Sequence, residues 1–173
     1  MTSPAPAAPP LVIRPLRADD PAEVAAVAAL LAEAYRDMGH FDANPAYEAS
    51  VVDVAGRAGR DTVLVALRGD DVVGTATVAS GRSPSAEVAA GDETELRYVG
   101  VRLDVQGAGI AKALVAAAED AARSQGSPRM VISVISWNTK AARLYEKLGY
   151  IRDDARTWWP VPTVELVVST KEL

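Results

Sequence analysis

The sequence has no cysteine and only one histidine, His40. The first absence excludes disulfides, thiolate metal ligands and a cysteine nucleophile. The second means that a Ser-His-Asp site would have to use His40, and no nucleophile-elbow motif surrounds that residue. A chain without thiols suits a reducing compartment, so we expect a cytoplasmic protein. We also expect no bound metal.

Large aromatic side chains are few, with one Phe and three Trp, although 49% of the residues are hydrophobic. We therefore expect a core of Val, Leu, Ile and Ala in one domain over residues 11–173. Residues 1–10 are rich in Ala and Pro without basic residues, which predicts a disordered leader and no signal peptide. No apolar run is long enough to span a bilayer, so we expect no membrane partner.

Basic residues are outnumbered, 18 to 23, which gives a formal net charge of −5. An acidic surface argues against unspecific binding to DNA or RNA, so no nucleic-acid partner is expected. An anionic ligand would need a local site made of backbone amides and a few basic side chains.

Hydrophobic periodicity predicts one mixed α/β domain. Asp20 is a candidate cap of the first helix, with Pro21 at its first position. We predict helices over residues 22–37, 46–58, 139–148, and from 110 to near Gly126. We predict strands over residues 11–16, 62–67, 72–79, 93–101, 130–135, 150–156 and 163–170. Residues 39–45, 81–92 and 158–162 are interpreted as loops.

A turn of small residues, Gly107 to Ala111, lies between the strand of residues 93–101 and the next helix. The first amides of a helix have no partner within it and carry its positive end, so they can hold a phosphate that small residues allow to come close. The alternative is a glycine turn that only allows tight packing, because an isolated Gly-x-Gly pattern is weakly specific. The turn is neither a Walker loop nor a dinucleotide fingerprint.

Two sequence blocks resemble signatures of the GNAT superfamily of N-acetyltransferases. The sequence Gln-Gly-Ala-Gly-Ile-Ala at residues 106–111 is similar to the family's acetyl-CoA pyrophosphate loop, Gln/Arg-x-x-Gly-x-Gly/Ala. Residues 138–150 are similar to its second signature, Asn-x-x-Ala-x-x-x-Tyr-x-x-x-Gly-Phe/Tyr, and residues 95–101 to its central strand. The blocks occur in the family's order, with one strand between them. Tyr150 in place of Phe is a small departure.

The resemblance implies a fold and an activity. The fold is a central mixed, mostly antiparallel twisted sheet of about seven strands flanked by about four helices, in which a splayed parallel strand pair binds acetyl-CoA. The activity is direct transfer of the acetyl group to a primary amine of a small-molecule acceptor. A homodimer is common among such proteins. Two alternatives stay open: acetylation of a protein N-terminus or lysine, and a non-catalytic acyl-CoA-binding regulatory module.

The resemblance also implies the residues that bind the cofactor. Backbone groups of Val99 and Val101 would grip the pantetheine, although both valines could be simply core. Asn138 would bond the same chain, or merely cap its helix. Lys112 and Arg102 are the first choices for phosphate contacts. The full set of expected cofactor-binding residues is Val99, Gly100, Val101, Gln106, Gly107, Ala108, Gly109, Ile110, Ala111, Lys112, Asn138, Ala141 and Tyr145.

Three residues are catalytic candidates under this resemblance. Tyr145 would protonate the departing thiolate, since a phenol is neutral at pH 7 yet able to donate; the alternative is a core aromatic. Glu95 or Glu93 would act as general base through water, because the family often uses a carboxylate there and the two alternate along one strand face. Glu95 fits slightly better, and the alternative is a pair of solvated strand-edge charges.

The acceptor wall is expected to come from the first helical region and from the connection between the last two strands. From the first we take Tyr35, His40 and Phe41, with His40 as a second candidate base or simply an exposed loop residue. From the second we take Trp158 and Trp159, whose alternative is plain packing of two large rings. The identity of the acceptor does not follow from the sequence.

Overall fold

The computed structural model describes residues 8–173, so most of the predicted disordered leader lies outside the described residues. Within residues 8–173 the chain forms one sheet of eight strands and six helices. The strands are β1 Leu11–Pro15, β2 Thr62–Arg68, β3 Asp71–Ser80, β4 Thr94–Val101, β5 Arg129–Ile135, β6 Ile151–Arg152, β7 Trp158–Val161 and β8 Val164–Glu172. The helices are α1 Pro21–Asp37, α2 His40–Ala43, α3 Tyr47–Val52, α4 Val54–Ala58, α5 Ile110–Ser124 and α6 Thr139–Lys147.

The sheet has the strand order β1-β2-β3-β4-β5-β8-β6, and β7 pairs with β8. Every neighbouring pair is antiparallel except β4 and β5, which run parallel because α5 connects them. This confirms the predicted mixed, mostly antiparallel fold with one parallel pair.

The local predictions were wrong in four places. The single helix expected over residues 46–58 is two helices, because the Asp53 side chain accepts a hydrogen bond from Gly56 N at 3.0 Å and starts a new one. The expected loop of residues 39–45 contains α2, and the expected loop of residues 158–162 contains β7. The strand expected over residues 150–156 ends at Arg152, after which Asp154–Arg156 form a 3-10 turn.

Helix α1 begins as predicted, with Asp20 as its cap and Pro21 in the first position. The Asp20 side chain accepts hydrogen bonds from Ala22 N at 3.0 Å and Glu23 N at 3.2 Å. Glu23 in the first turn accepts from Arg14 Nη2 at 2.6 Å, so the start of the helix is tied to strand β1.

Helices cover both faces of the sheet and create two apolar cores. On one face α5 packs against alternate residues of β2, β3 and β4. Its buried side chains recur at helical spacing and so form the apolar stripe that makes this contact. On the other face α1, α3 and α4 cover Val65 and Tyr98. Among residues 8–173, no helix has the length and apolar character that a membrane span requires.

Candidate functional site

Strand β4 contains a bulge in its second half. Thr75 of β3 pairs with Gly100 while Thr77 pairs with Arg97, so β4 holds one residue more than its partner between those pairs. Tyr98 lies inside the bulge with a φ of 50°, the one positive φ at a non-glycine residue in the part of the chain that the structure describes. The bulge turns β4 away from β5.

The parallel strands β4 and β5 therefore separate from each other. They pair at three positions, Thr94 to Leu96 against Met130 to Ile132, and no further. A cavity of about 690 Å³ opens in the gap and is bounded by β4, β5, β8, the end of α1 and the starts of α5 and α6. Its volume falls within the range of roughly 300–1,000 Å³ that is typical of ligand pockets.

The glycine turn at the start of α5 forms one end of this cavity. Gly107 and Gly109 have φ values of 84° and 79°, which favour glycine, and no side chain caps the helix. The first amides of α5 have no partner within the helix and remain available to an anion. Gly107, Gly109, Ile110, Ala111 and Lys112 line the cavity, whereas Ala108 is exposed and does not.

Two basic side chains lie at this end of the cavity. Lys112 lines it, and Lys140 donates from Nζ to Gln106 Oε1 at 2.9 Å, which joins the glycine turn to the start of α6. Arg102 is oriented differently: its Nε lies 2.6 Å from Asp104 Oδ1, and it does not line the cavity. The α5 amides, Lys112 and Lys140 are thus the groups at this end of the cavity that could hold an anion.

The middle of the cavity is lined by the expected backbone and helix residues. Val99 lies in the bulge with Tyr98, Gly100 and Val101 follow it, and none of these residues has a β5 partner. Asn138 caps α6, because its Oδ1 accepts from Ala141 N at 3.1 Å, and its Nδ2 lies 3.2 Å from Met38 Sδ. Asn138 and Ala141 both line the cavity, so the capping alternative is observed and a second role in binding is compatible with it.

Tyr145 on α6 is buried, with 7% of its surface exposed, and lines the same cavity. Its ring packs edge-on against Tyr150, with centroids 5.5 Å apart. Among residues 8–173 its hydroxyl has no hydrogen-bond partner, and burial raises its pKa. The phenol therefore keeps its proton at neutral pH and can donate it to a group inside the cavity.

Neither Glu93 nor Glu95 lines the cavity. Glu93 is bound by both Nη atoms of Arg156 at 2.9 Å and by Arg129 at 3.3 Å, and the hydrogen bond from Arg156 lowers its pKa. Glu95 is 1% exposed, and its Oε2 accepts from three successive backbone amides, those of residues 87–89, at 2.8 to 3.0 Å. Both carboxylates hold other parts of the chain in position.

The other end of the cavity is aromatic. Tyr35 and His40 line it with ring centroids 4.7 Å apart, and burial lowers the pKa of His40 to about 4. Phe41 lies behind them in the core and does not reach the cavity. Trp158 packs against a small buried cluster of Ala89, Val131 and Val168, Trp159 is 56% exposed, and neither tryptophan lines the cavity.

Four further residues form this end of the cavity and were missed in the sequence. Tyr47 stacks on Tyr98 with centroids 6.3 Å apart, and Arg97 Nη2 lies 2.8 Å from Glu87 Oε1. Arg97 and Tyr98 belong to the strand block that resembles the family's central strand, so a bulge in that block could have identified them. The sequence around Glu87 contains no motif that marks it as a site residue, because its position depends on hydrogen bonds from the amides of residues 87–89 to Glu95 of β4.

The chain belongs to the GNAT acetyltransferase family. The model of that family, described as "Acetyltransferase (GNAT) family", matches residues 24–150, which is more than half of the chain. The matched region includes the bulge, the glycine turn and Tyr145.

Solved structures of acetyltransferases have the same fold. PaiA N-acetyltransferase from Thermoplasma acidophilum, in complex with coenzyme A, matches with a TM-score of 0.73 at 15% identity and covers 95% of this chain and 99% of its own. YncA from Salmonella typhimurium, a putative acetyltransferase with its cofactor acetyl-CoA, matches with a TM-score of 0.70 at 23% identity and covers 94% of each chain. Identities this low demonstrate the fold alone.

A curated relative matches part of the sequence. Mycothiol acetyltransferase from Renibacterium salmoninarum is 36% identical over 69 residues, which is 40% of this chain. The matched part of this chain spans 20% of that relative's length.

Proposed function

We propose that this protein transfers the acetyl group of acetyl-CoA directly to a primary amine of a small-molecule acceptor. One observation carries the proposal: a single cavity runs from the free amides of α5, through the gap between β4 and β5, to the aromatic end with Tyr35 and His40. The cavity thus joins an end that suits phosphates, a channel lined by backbone groups and an end that suits the acceptor.

The residues of the cavity fit acetyl-CoA part by part. The α5 amides and Lys112 suit the pyrophosphate, since a helix start attracts anions. Val99 and Val101 have no partner on β5, so their backbone groups are left to bond another molecule. The amides of the pantetheine suit them, because they can supply the missing hydrogen bonds. Acetyl-CoA supplies an activated acyl group as a thioester.

Tyr145 acts at the sulfur. Its side chain lines the cavity, and its hydroxyl is protonated and has no protein partner within residues 8–173, so it donates to the thiolate as the carbon–sulfur bond breaks. A backbone amide beside the bulge, such as that of Val99 or Val101, stabilises negative charge on the acetyl oxygen. No covalent enzyme intermediate is needed, which agrees with a chain that has no cysteine.

Thiol release in the presence of acetyl-CoA tests the proposal. The purified protein is given a panel of alkyl and arylalkyl amines and, separately, peptides with free N-termini or lysines. Release of free coenzyme A that depends on a small amine, with the acetylated amine identified by mass spectrometry, supports the proposal. Transfer to peptides alone would support a protein acetyltransferase instead. Binding of acetyl-CoA without any transfer would support a non-catalytic module.

A further inference from the structure

The carboxylate that faces the acceptor end of the cavity comes from the irregular segment of residues 81–92. Glu87 lines the cavity, and 32% of its side chain is exposed. Burial of the rest raises its pKa, while the neighbouring Arg97 opposes that shift. Glu87 differs in this from Glu93 and Glu95, which do not reach the cavity.

Two contacts hold Glu87 in this position. Glu95 accepts hydrogen bonds from the backbone amides of Glu87 at 2.8 Å, Val88 at 2.9 Å and Ala89 at 3.0 Å. Arg97 then reaches Glu87 Oε1 from strand β4 with its Nη2 at 2.8 Å. A carboxylate fixed at both its backbone and its side chain is positioned well enough to act on a bound molecule.

The cation that faces Glu87 is already fully engaged. Arg97 is 8% exposed and donates to Ser85 O and to Tyr47 Oη, besides its ion pairs with Glu87 and Glu95. Its guanidinium carbon lies 4.6 Å from the centroid of Tyr98. An acidic group on the acceptor would therefore have to displace an existing partner of Arg97 and would approach Glu87 as a like charge.

Aromatic rings surround the space in front of Glu87. Tyr35, His40 and Tyr47 are mutual neighbours with centroids 4.7 to 6.4 Å apart, and all three line the cavity. Tyrosine faces attract cations and also accommodate apolar groups. His40 adds no positive charge at neutral pH, because burial lowers its pKa to about 4.

We propose that Glu87 binds the ammonium group of the acceptor against the rings of Tyr35 and Tyr47 and takes its proton, and that the acceptor is a primary amine on an apolar body without a nearby carboxylate. This deepens the proposed function and rests on it. Asp37, which also lines the cavity, is a further acidic side chain there.

The step balances without any further reactant. Glu87 takes one proton from the ammonium group, and the freed nitrogen forms a bond to the acetyl carbon. The bond from that carbon to sulfur breaks, with its electron pair and the Tyr145 hydroxyl proton both going to sulfur. The second proton of the nitrogen returns to the Tyr145 oxygen, and Glu87 releases its proton to water.

The test compares Glu87→Gln with wild type and with Glu33→Gln, a matched control on the exposed surface of α1. The acceptors are 2-phenylethylamine and hexylamine, each paired with its carboxylated counterpart, phenylalanine or 2-aminoheptanoic acid. Wild type is expected to have a kcat/KM at least tenfold higher for each amine than for its counterpart. E87Q is expected to lose about 10²- to 10³-fold in kcat/KM at pH 7, while E33Q keeps the wild-type value.

The proton-transfer role has its own readout. The charged and titratable groups next to Glu87 are Arg97 and Glu95 of β4 and Tyr47 of α3. Across the cavity lie Tyr35 and Asp37 of α1 and His40 of α2. An alkylammonium loses its proton to water near a pKa of about 10, by analogy with lysine. The deficit of E87Q is therefore expected to shrink toward pH 10, where the amine no longer needs a base. A deficit of equal size at pH 7 and pH 10 would overturn this role.

The outcomes separate the two proposals. If wild type acetylates amines but E87Q matches wild type, or if the carboxylated acceptors react as well as the amines, this inference is overturned and the proposed function stands. If wild type acetylates no amine, the proposed function fails and this inference with it. Coenzyme A affinity from calorimetry shows whether E87Q is folded, and Glu87→Asp, expected to have intermediate activity, provides the test if E87Q is not.

Discussion

Replacing Gly74 by alanine should destabilise the protein by forcing the start of α5 away from the sheet. Gly74 lies in β3 beneath that helix. A Cβ at this position would lie 2.9 Å from Leu114 Cδ1, 3.0 Å from Ile110 Cγ2 and 3.2 Å from Gly100 O. Ile110 and Leu114 are 1% and 0% exposed, so their ends have no solvent-filled space to move into. Either the helix or the sheet must shift.

The size of the effect follows from two opposing contributions. Overpacking a close-packed core costs about 1–3 kcal/mol. Removing the glycine from the unfolded chain restores about 0.4–1 kcal/mol. We therefore expect Gly74→Ala to lower the free energy of unfolding by about 1–2 kcal/mol, seen in urea as a lower midpoint at an unchanged m-value. Because Ile110 begins α5, coenzyme A should also bind more weakly.

Gly59→Ala is the matched control. Gly59 has a φ of −76°, and the nearest atom to a Cβ there is Gly56 O at 3.6 Å, an ordinary contact. This variant should be neutral or slightly more stable than wild type. If Gly74→Ala were as stable as Gly59→Ala and bound coenzyme A as wild type does, the tight contact between α5 and β3 would not be the feature that positions the glycine turn.

Two more predictions concern single side chains. Tyr145→Phe should lower kcat by about 10²- to 10⁴-fold with little change in coenzyme A affinity. The control is Tyr150→Phe, which removes a hydroxyl bound to Glu119 and should affect stability and not the rate. An unchanged rate in Tyr145→Phe would exclude the acid role of Tyr145. Arg14 lowers the pKa of Glu23 from 4.5 to about 2, so the ion pair stabilises the fold above pH 4.5 and the gain disappears as the pH falls toward 2. Glu23→Gln should therefore lower the free energy of unfolding by about 1–2 kcal/mol at pH 7, after allowance for solvent screening, and by much less at pH 3. Urea unfolding measures both values, and an equal loss of stability at pH 7 and pH 3 would contradict this reasoning.

The parts of the molecule that short sequence patterns specify were predictable. Asp20 and Pro21 are adjacent to the helix they start, and the glycine turn is recognised within six residues because its conformation depends on the glycines themselves. Tyr145 was identified through the resemblance of residues 138–150 to the family's second signature, which is also a short local pattern. These features need no information about distant parts of the chain.

The aromatic end of the cavity was predicted only in part: Tyr35 and His40 were expected there and line it, but distant residues complete it. Tyr47 and Tyr98 are far apart in the chain and meet only through the bulge of β4. Glu95 alternates with Glu93 as expected of a strand, yet it binds amides of the preceding segment and so brings Glu87 to the cavity in its place. Trp158 and Trp159 form a strand instead of a loop, since β8 offers them an edge to pair with.

Residue-resolved amide NMR with coenzyme A is the most direct test of the central claim, that the α5 start and the β4–β5 gap bind the cofactor. The account predicts that the largest shifts fall on the amides of Gly109, Ile110 and Ala111 and of Val99 and Val101, with protection from exchange at the same positions. Saturating coenzyme A that left these amides unchanged, or shifted a different surface, would contradict it.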